Sequence, residues 1–127
     1  MGQLIGSIDS SFVVAEWQDG GGSPEKPRLI APLHLHYHDD EAWYVLEGRL
    51  CVQVGDNVVD ARAGSAVFVP RRTKHTYWNP GPEPVRYLLI MTGRIYALIQ
   101  AIHTMPERTP AALEKIFREY DSELLPS

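Results

Sequence analysis

The chain has 127 residues and only one cysteine, Cys51, so no internal disulfide can form and no second thiol is present to share a metal with it. That usage fits a reducing compartment, and a half-buried strand position is enough to account for Cys51. A basic stripe is also missing. Net charge is -4, and the one local cluster of cations, Arg71, Arg72 and Lys74, is too short to track a phosphate backbone, which argues against nucleic acid as a partner. No apolar run approaches the roughly 20 residues that span a bilayer, and the opening MGQLIGSIDSSFVV lacks the charged start and continuous apolar stretch of a secretory signal. A cytoplasmic protein without a membrane partner is expected. The length suits one domain with a real hydrophobic core and is too short for two.

What is present between residues 11 and 92 is a succession of short apolar or alternating runs separated by turn signals, the pattern of an all-β sandwich or barrel. The runs are FVVAEW, RLIAPLHLHYH, EAWYVLEG, RLCVQVG, NVVDARA, AVFVP, HTYWN and VRYLLIMT. Among the breaks, DGGGSPEKP reads as a flexible loop, GDN as a hairpin turn, and NPGPEP as a connection through which no strand continues. Beyond residue 92 the period changes. Ile95, Leu98, Ile99 and Ile102 fall on one face of a helix over about 94–103. Thr109 as N-cap and Pro110 at the first helical position open a second helix, whose stripe is Leu113, Ile116, Phe117, Tyr120 and Leu124. His103 is expected at a helix end, exposed and facing the helix dipole. The organisation expected is thus a segment 1–10, a β-structure 11–92 and a helical extension 93–127.

Histidine is distributed unevenly. His34, His36 and His38 alternate within LHLHYHDDE, so in an extended strand all three share one face, with successive rings about 6.5–7 Å apart along the chain. Two imidazoles at that spacing can tilt toward a single ion, and Glu41, beyond the Asp39-Asp40 turn, can face the same point. Two histidines and a carboxylate leave coordination positions open for a substrate or oxygen. His75 stands in a second segment, GSAVFVPRRTKHTYWN. Taken singly, each histidine reads as a surface or satisfied loop residue. Taken together, four of five occupy two compact clusters beside strands, which points to a held ligand.

These two segments resemble the paired motifs of the cupin superfamily. In the first, His-x-His is followed by three or four residues, Glu, six residues and Gly, and His34, His36, Glu41 and Gly48 match. In the second, Gly64, Pro70, His75 and Asn79 match at every spacing. Two departures occur: Arg28 stands at the upstream glycine of the first motif and Arg72 at the internal glycine of the second, where a turn has to be strained or reshaped. The resemblance implies a jelly-roll β-barrel (all-β, with two short C-terminal α-helices) holding one divalent transition metal, Fe, Mn, Ni, Cu or Zn, on His34, His36, Glu41 and His75. It also implies which pair chelates, because starting the motif at His36 and His38 leaves too few residues before Glu41. His38 then becomes an extra ring near the site, either exposed at the barrel mouth or a donor or proton shuttle beside it. Arg71, Arg72 and Lys74 either line the entrance or form a solvated turn.

Alternation carried outward from the ligands predicts a pocket wall of His38, Trp43, Val45, Val52, Val67 and Tyr77, with Leu50, Val54 and Val69 on the same faces. Such a wall suits a small organic molecule with one chelating group, an enol, diketone or carboxylate. The expected function is that of a metal-dependent dioxygenase-type enzyme, with Glu41 also a possible base. The alternatives are a non-catalytic binding or sensing protein, or a sugar isomerase or epimerase, for which no dedicated acid/base pair is apparent. Cupins commonly pair through an edge strand or a swapped N-terminal segment, so a homodimer using residues 1–10 is expected.

Overall fold

The computed structural model describes residues 4–7, 9–21 and 28–126, so residues 1–3 and 8 of the N-terminal segment and most of the expected glycine loop lie outside the described residues. The elements are β1 (Leu4–Ile5), β2 (Val13–Asp19), β3 (Leu29–His36), β4 (Glu41–Glu47), β5 (Arg49–Val54), β6 (Asn57–Arg62), β7 (Ala66–Val69), β8 (His75–Trp78), β9 (Val85–Met91), α1 (Gly93–His103), α2 (Pro110–Glu119) and β10 (Ser122–Leu124). Each alternating run of the sequence becomes one strand, β2 to β9.

The strands form two five-stranded antiparallel sheets in the orders β1-β2-β9-β4-β7 and β10-β3-β8-β5-β6. From β2 to β5 the chain crosses between sheets at every step, as in a jelly roll, so residues close in sequence face one another across the interior. Alternation sets the inner faces. Along β9, Val85, Tyr87, Leu89 and Met91 are buried while Arg86, Leu88 and Ile90 are not. Val13, Trp43 and Leu89 from one sheet meet Leu50, Val52 and Tyr77 from the other in a single core. Each large apolar side chain so buried contributes roughly 1.5–3 kcal/mol. Gly48 alone joins β4 to β5, at φ 81°, and a Cβ there would approach the Pro84 carbonyl oxygen to 2.5 Å, which explains why this position must be glycine.

Both helices are capped as their sequences direct: Thr92 Oγ1 accepts from the Ile95 N–H, and Thr109 Oγ1 accepts from the Ala112 N–H with Pro110 following. The second stripe is shorter than predicted. α2 ends at Glu119, and Leu124 lies in β10 opposite His34. Asp121 takes φ 53° and turns the chain out of the helix, a conformation aspartate tolerates better than most residues and one to which a helical period is blind. β10 thereby extends the second sheet. β1 pairs Leu4 and Ile5 with Ala15 and Val14 at the edge of the chain's own first sheet.

Part of the outer side of the first sheet is apolar as well, next to the ion pairs of Arg86 with Glu16 and Glu47. Ile5, Val14, Ile90, Ala42 and Phe68 stand in one cross-strand row, with Leu88 and Tyr44 beside it. Ile5 is 63% exposed and Phe68 60%.

Candidate metal centre

β3 carries His34 and His36 inward on alternate positions, β8 begins with His75 directly opposite His34, and β4 begins with Glu41 on the other sheet. The β3–β8 register is irregular on either side of Ala31, the kind of local distortion that re-aims side chains near a site. His34, His36, Glu41 and His75 are all buried, and their donor atoms lie within 4.8 Å of one another. The four residues could therefore hold a metal ion. The rings of His34 and His75 are 4.2 Å apart between centroids, and Phe117 and Trp43 pack edge-on behind His34 and His75.

The outer nitrogens of the rings decide what the inner ones offer. His34 Nδ1 lies 2.5 Å from the Pro32 carbonyl oxygen and His75 Nδ1 2.9 Å from that of Thr73, so both Nδ1 atoms carry hydrogen and donate. His34 Nε2 then presents a lone pair inward, as a metal ligand must, and His75 Nε2, 2.9 Å from Glu41 Oε1, does so once it gives up its proton. His36 Nδ1 meets Ser122 Oγ at 2.7 Å, and its buried Nε2 has no hydrogen-bond partner among the described residues, lying 3.2 Å from Glu41 Oε1. An orphaned buried nitrogen beside a carboxylate is what an ion would satisfy, and three imidazole nitrogens with one carboxylate suit the borderline divalent metals.

Electrostatics agrees with a site waiting for positive charge. Desolvation by burial, reinforced by the neighbouring His75 and His36, pushes His34 down to about 3, so this ring is neutral. Burial alone would raise the Glu41 carboxyl, but the His36 and His75 rings against it outweigh burial and hold the group below the usual carboxylate range. Burial likewise opposes charge on His75, yet the Glu41 carboxylate 2.9 Å away raises it above the usual imidazole value.

A cavity of about 300 Å³ opens onto His34, His36 and Glu41. Its barrel side is Trp17, Tyr77, Tyr87 and Leu89, and its cover is Ile95, Leu98, Ile99 and Ile102 of α1 with Leu113 and Phe117 of α2. Both phenols stay protonated at neutral pH, Tyr77 well above its ordinary value and Tyr87 raised to about 12, in each case chiefly through burial. Polar groups on the wall include Gln18, Asp19, His103 and Arg108. His103 ends α1 as expected, but its ring also meets Trp17 edge-on.

Of the predicted wall, Tyr77 lines the cavity. Trp43, Val45, Val52 and Val67 are not among its lining residues; they are packed in the core between the sheets, where side chains from the opposite sheet fill the space that strand alternation alone leaves open. His38 lies past the end of β3 and is exposed, because the strand stops at His36. The helical stripes, read from the sequence as packing faces, supply the missing wall; nothing in their period distinguishes lining a cavity from filling one. Ser122 has no sequence signal at all. Arg71, Arg72 and Lys74 belong to the structure of the turn: Arg71 pairs with Asp40 at 3.1 Å, Lys74 with Asp56 at 2.7 Å, and the Arg72 guanidinium sits over the Tyr37 ring. Cys51 is buried, and desolvation raises its thiol, as suits an inert strand residue.

Residues 25–91 match the Cupin domain family Cupin_2. The chain belongs to the cupin family. Among relatives, a mannose-1-phosphate guanylyltransferase of Salmonella muenchen is 29% identical over 72 residues, 57% of this chain and 15% of that one. An uncharacterised protein of Methanocaldococcus jannaschii is 32% identical over 56 residues, 44% of this chain and 45% of that one. The chain thus spans less than half the length of these relatives. Among solved structures, the cupin domain of Schizosaccharomyces pombe Cnp3 superposes with a TM-score of 0.60 at 19% identity, covering 83% of this chain and 69% of that one. A candidate sugar phosphate isomerase of Acidithiobacillus ferrooxidans gives 0.55 at 24% identity, covering 65% and 50%. The helices that cover the cavity lie beyond the family match. No helix among the described residues is long and apolar enough to cross a membrane.

Proposed function

We propose that this cupin is a metal-dependent enzyme of dioxygenase type acting on a small, largely apolar molecule with a chelating enol, diketone or carboxylate group. The observation that carries the reading is the cavity itself: an apolar wall that opens onto three of the four buried ligand residues. A divalent transition metal bound by His34, His36, Glu41 and His75 would supply Lewis acidity and, where redox-active, electrons for oxygen. Within the cavity, Tyr77 and Tyr87 offer neutral hydroxyls that orient a carbonyl oxygen, and the helical cover keeps bulk water from the reacting group. Glu41, ionised at neutral pH and facing the cavity, is a weak base, suited to the acidic proton of an enol or diketone rather than to an unactivated C–H.

A second reading, chemistry on a sugar phosphate, is favoured by Arg108 and His103 on the cavity wall, where they could take a phosphate, and by what the guanylyltransferase and isomerase relatives are named for. Gln18, Asp19, Tyr77 and Tyr87 could then meet sugar hydroxyls, although most of the wall is apolar. Oxygen uptake separates these readings. Protein loaded in turn with Fe, Mn, Ni, Cu and the redox-inert Zn is given aryl enols and β-diketones, then hexose phosphates. Uptake with the former, lost with Zn and in His75→Ala, is expected. Turnover of hexose phosphate without uptake would replace the dioxygenase reading, and binding without turnover would make the protein a sensor.

We also propose that two copies pair through the outer face of the first sheet. Ile5, Tyr44 and Phe68 with the half-buried Val14, Leu88 and Ile90 offer on the order of 500–600 Å² per copy, so that a pair buries about 1,000–1,200 Å², within reach of a specific interface. The row is centred on β9, so a two-fold axis along that strand sets Ile5 of one copy against Phe68 of the other.

A further inference from the structure

We infer that Ser122 is a positioning residue for His36, which makes the C-terminal strand β10, outside the family match, a working part of the metal centre. The inference rests on reading the buried cluster as a metal centre. Its geometry is independent of any ion. Ser122 Oγ has one hydrogen, and the Tyr120 carbonyl oxygen 3.1 Å away accepts it. With the hydroxyl so turned, a lone pair of Oγ faces His36 Nδ1 at 2.7 Å, which assigns the hydrogen of that contact to Nδ1. Nε2 is left bare and turned toward Glu41.

The opposite tautomer would undo the site. With its hydrogen on Nε2, His36 would donate to Glu41 Oε1 across the existing 3.2 Å, occupying two ligands at once. Where Pro32 and Thr73 carbonyls fix His34 and His75 from two positions earlier in the chain, His36 depends on a residue 86 positions away. The placement of that residue is well supported. Ser122 pairs with His36 in the β10–β3 ladder, the Tyr37 N–H donates to the Asp121 carbonyl at 2.9 Å, and Arg94 of α1 holds the Asp121 carboxylate at 2.5 Å. Ser122 itself is 2% exposed, so its hydroxyl is held between these partners rather than in solvent.

The test has two arms. In the first, nitrogen-15 NMR of metal-stripped wild-type protein at neutral pH reads the hydrogens on His36: hydrogen on Nδ1 is expected, and a ring with hydrogen on Nε2 alone overturns the inference whether or not any metal binds. In the second, Co²⁺ affinity is measured by competition with a chromophoric chelator. Ser122→Ala should weaken binding by about 10–100-fold. Ser122→Thr, which keeps the hydroxyl, should stay near wild type, as should Glu123→Ala, which removes the neighbouring contact with the Tyr37 hydroxyl on the same strand. Wild-type affinity in Ser122→Ala, or an equal loss in Glu123→Ala, overturns the inference. A wild-type protein that takes up no Co²⁺ defeats the metal reading alone, and the tautomer then decides for or against Ser122. Should Ser122→Ala fail to fold, the first arm decides.

Discussion

The backbone N–H of Arg72 donates to the carbonyl oxygen of His36 at 2.6 Å, tying the turn before β8 to the end of the ligand strand while Arg72 itself sits at φ 67°. This is the position where the cupin motif has glycine, and the left-handed backbone that glycine would adopt freely is retained here by an arginine at a cost of about 1–2 kcal/mol. The guanidinium stacked over Tyr37 returns roughly 0.5–1 kcal/mol at such an exposed site. Arg72→Gly should therefore change the urea midpoint little, by less than about 1 kcal/mol, whereas β-branched Arg72→Val should destabilise by about 1–3 kcal/mol. A large stabilisation by glycine would mean that the arginine side chain contributes nothing.

Metal content should divide the histidines. His34→Ala and His75→Ala are expected to lose near-stoichiometric metal in elemental analysis, and His38→Ala to retain it, because His38 is exposed beyond the end of β3. Retention in His75→Ala would remove that residue from the ligand set.

Eight strands and the four buried donors were legible in the sequence because alternation and fixed motif spacing are local properties. The cavity wall was not. Trp43 and Val45 do point inward, as their period requires, but whether an inward position meets a void or a neighbour depends on the opposite sheet and on two helices packed from the C-terminal end. Leu124 kept the helical stripe in step past Asp121, and only the backbone reveals the break. Ser122 is a serine with no pattern around it; its partner is set by strand pairing over 86 residues.

Acid should destabilise the metal-stripped protein. His34 titrates near 3 when folded but near 6.5 when unfolded, so the unfolded chain binds the extra proton and stability falls as pH drops below 6.5, by up to about 1.4 kcal/mol per unit. Glu41, held below its ordinary value of 4.5, adds to the loss below that pH. His75 has the opposite sign: its contribution is complete below 6.5 and is lost as pH rises through its raised value, so stability peaks between the two limbs. Denaturant midpoints from about pH 4 to 9 measure this, and His34→Ala should flatten the acid limb.

The outer face of the first sheet should show itself in solution mass. Wild-type protein is expected to sediment as a dimer at micromolar concentration and Phe68→Glu as a monomer with unchanged circular dichroism, since Phe68 is 60% exposed and its replacement leaves the core intact. Val58→Glu, equally exposed on the other sheet, serves as the control and should remain dimeric. A monomeric wild-type protein would refute the pairing.

Three of the four donors hang from one sheet and the fourth, Glu41, from the other. An ion held by all four would be a rivet through the sandwich, adding a bond between its two leaves to the strand pairing within each. Loading with metal should therefore slow hydrogen exchange of the β3, β4 and β8 amides together rather than those of one sheet alone.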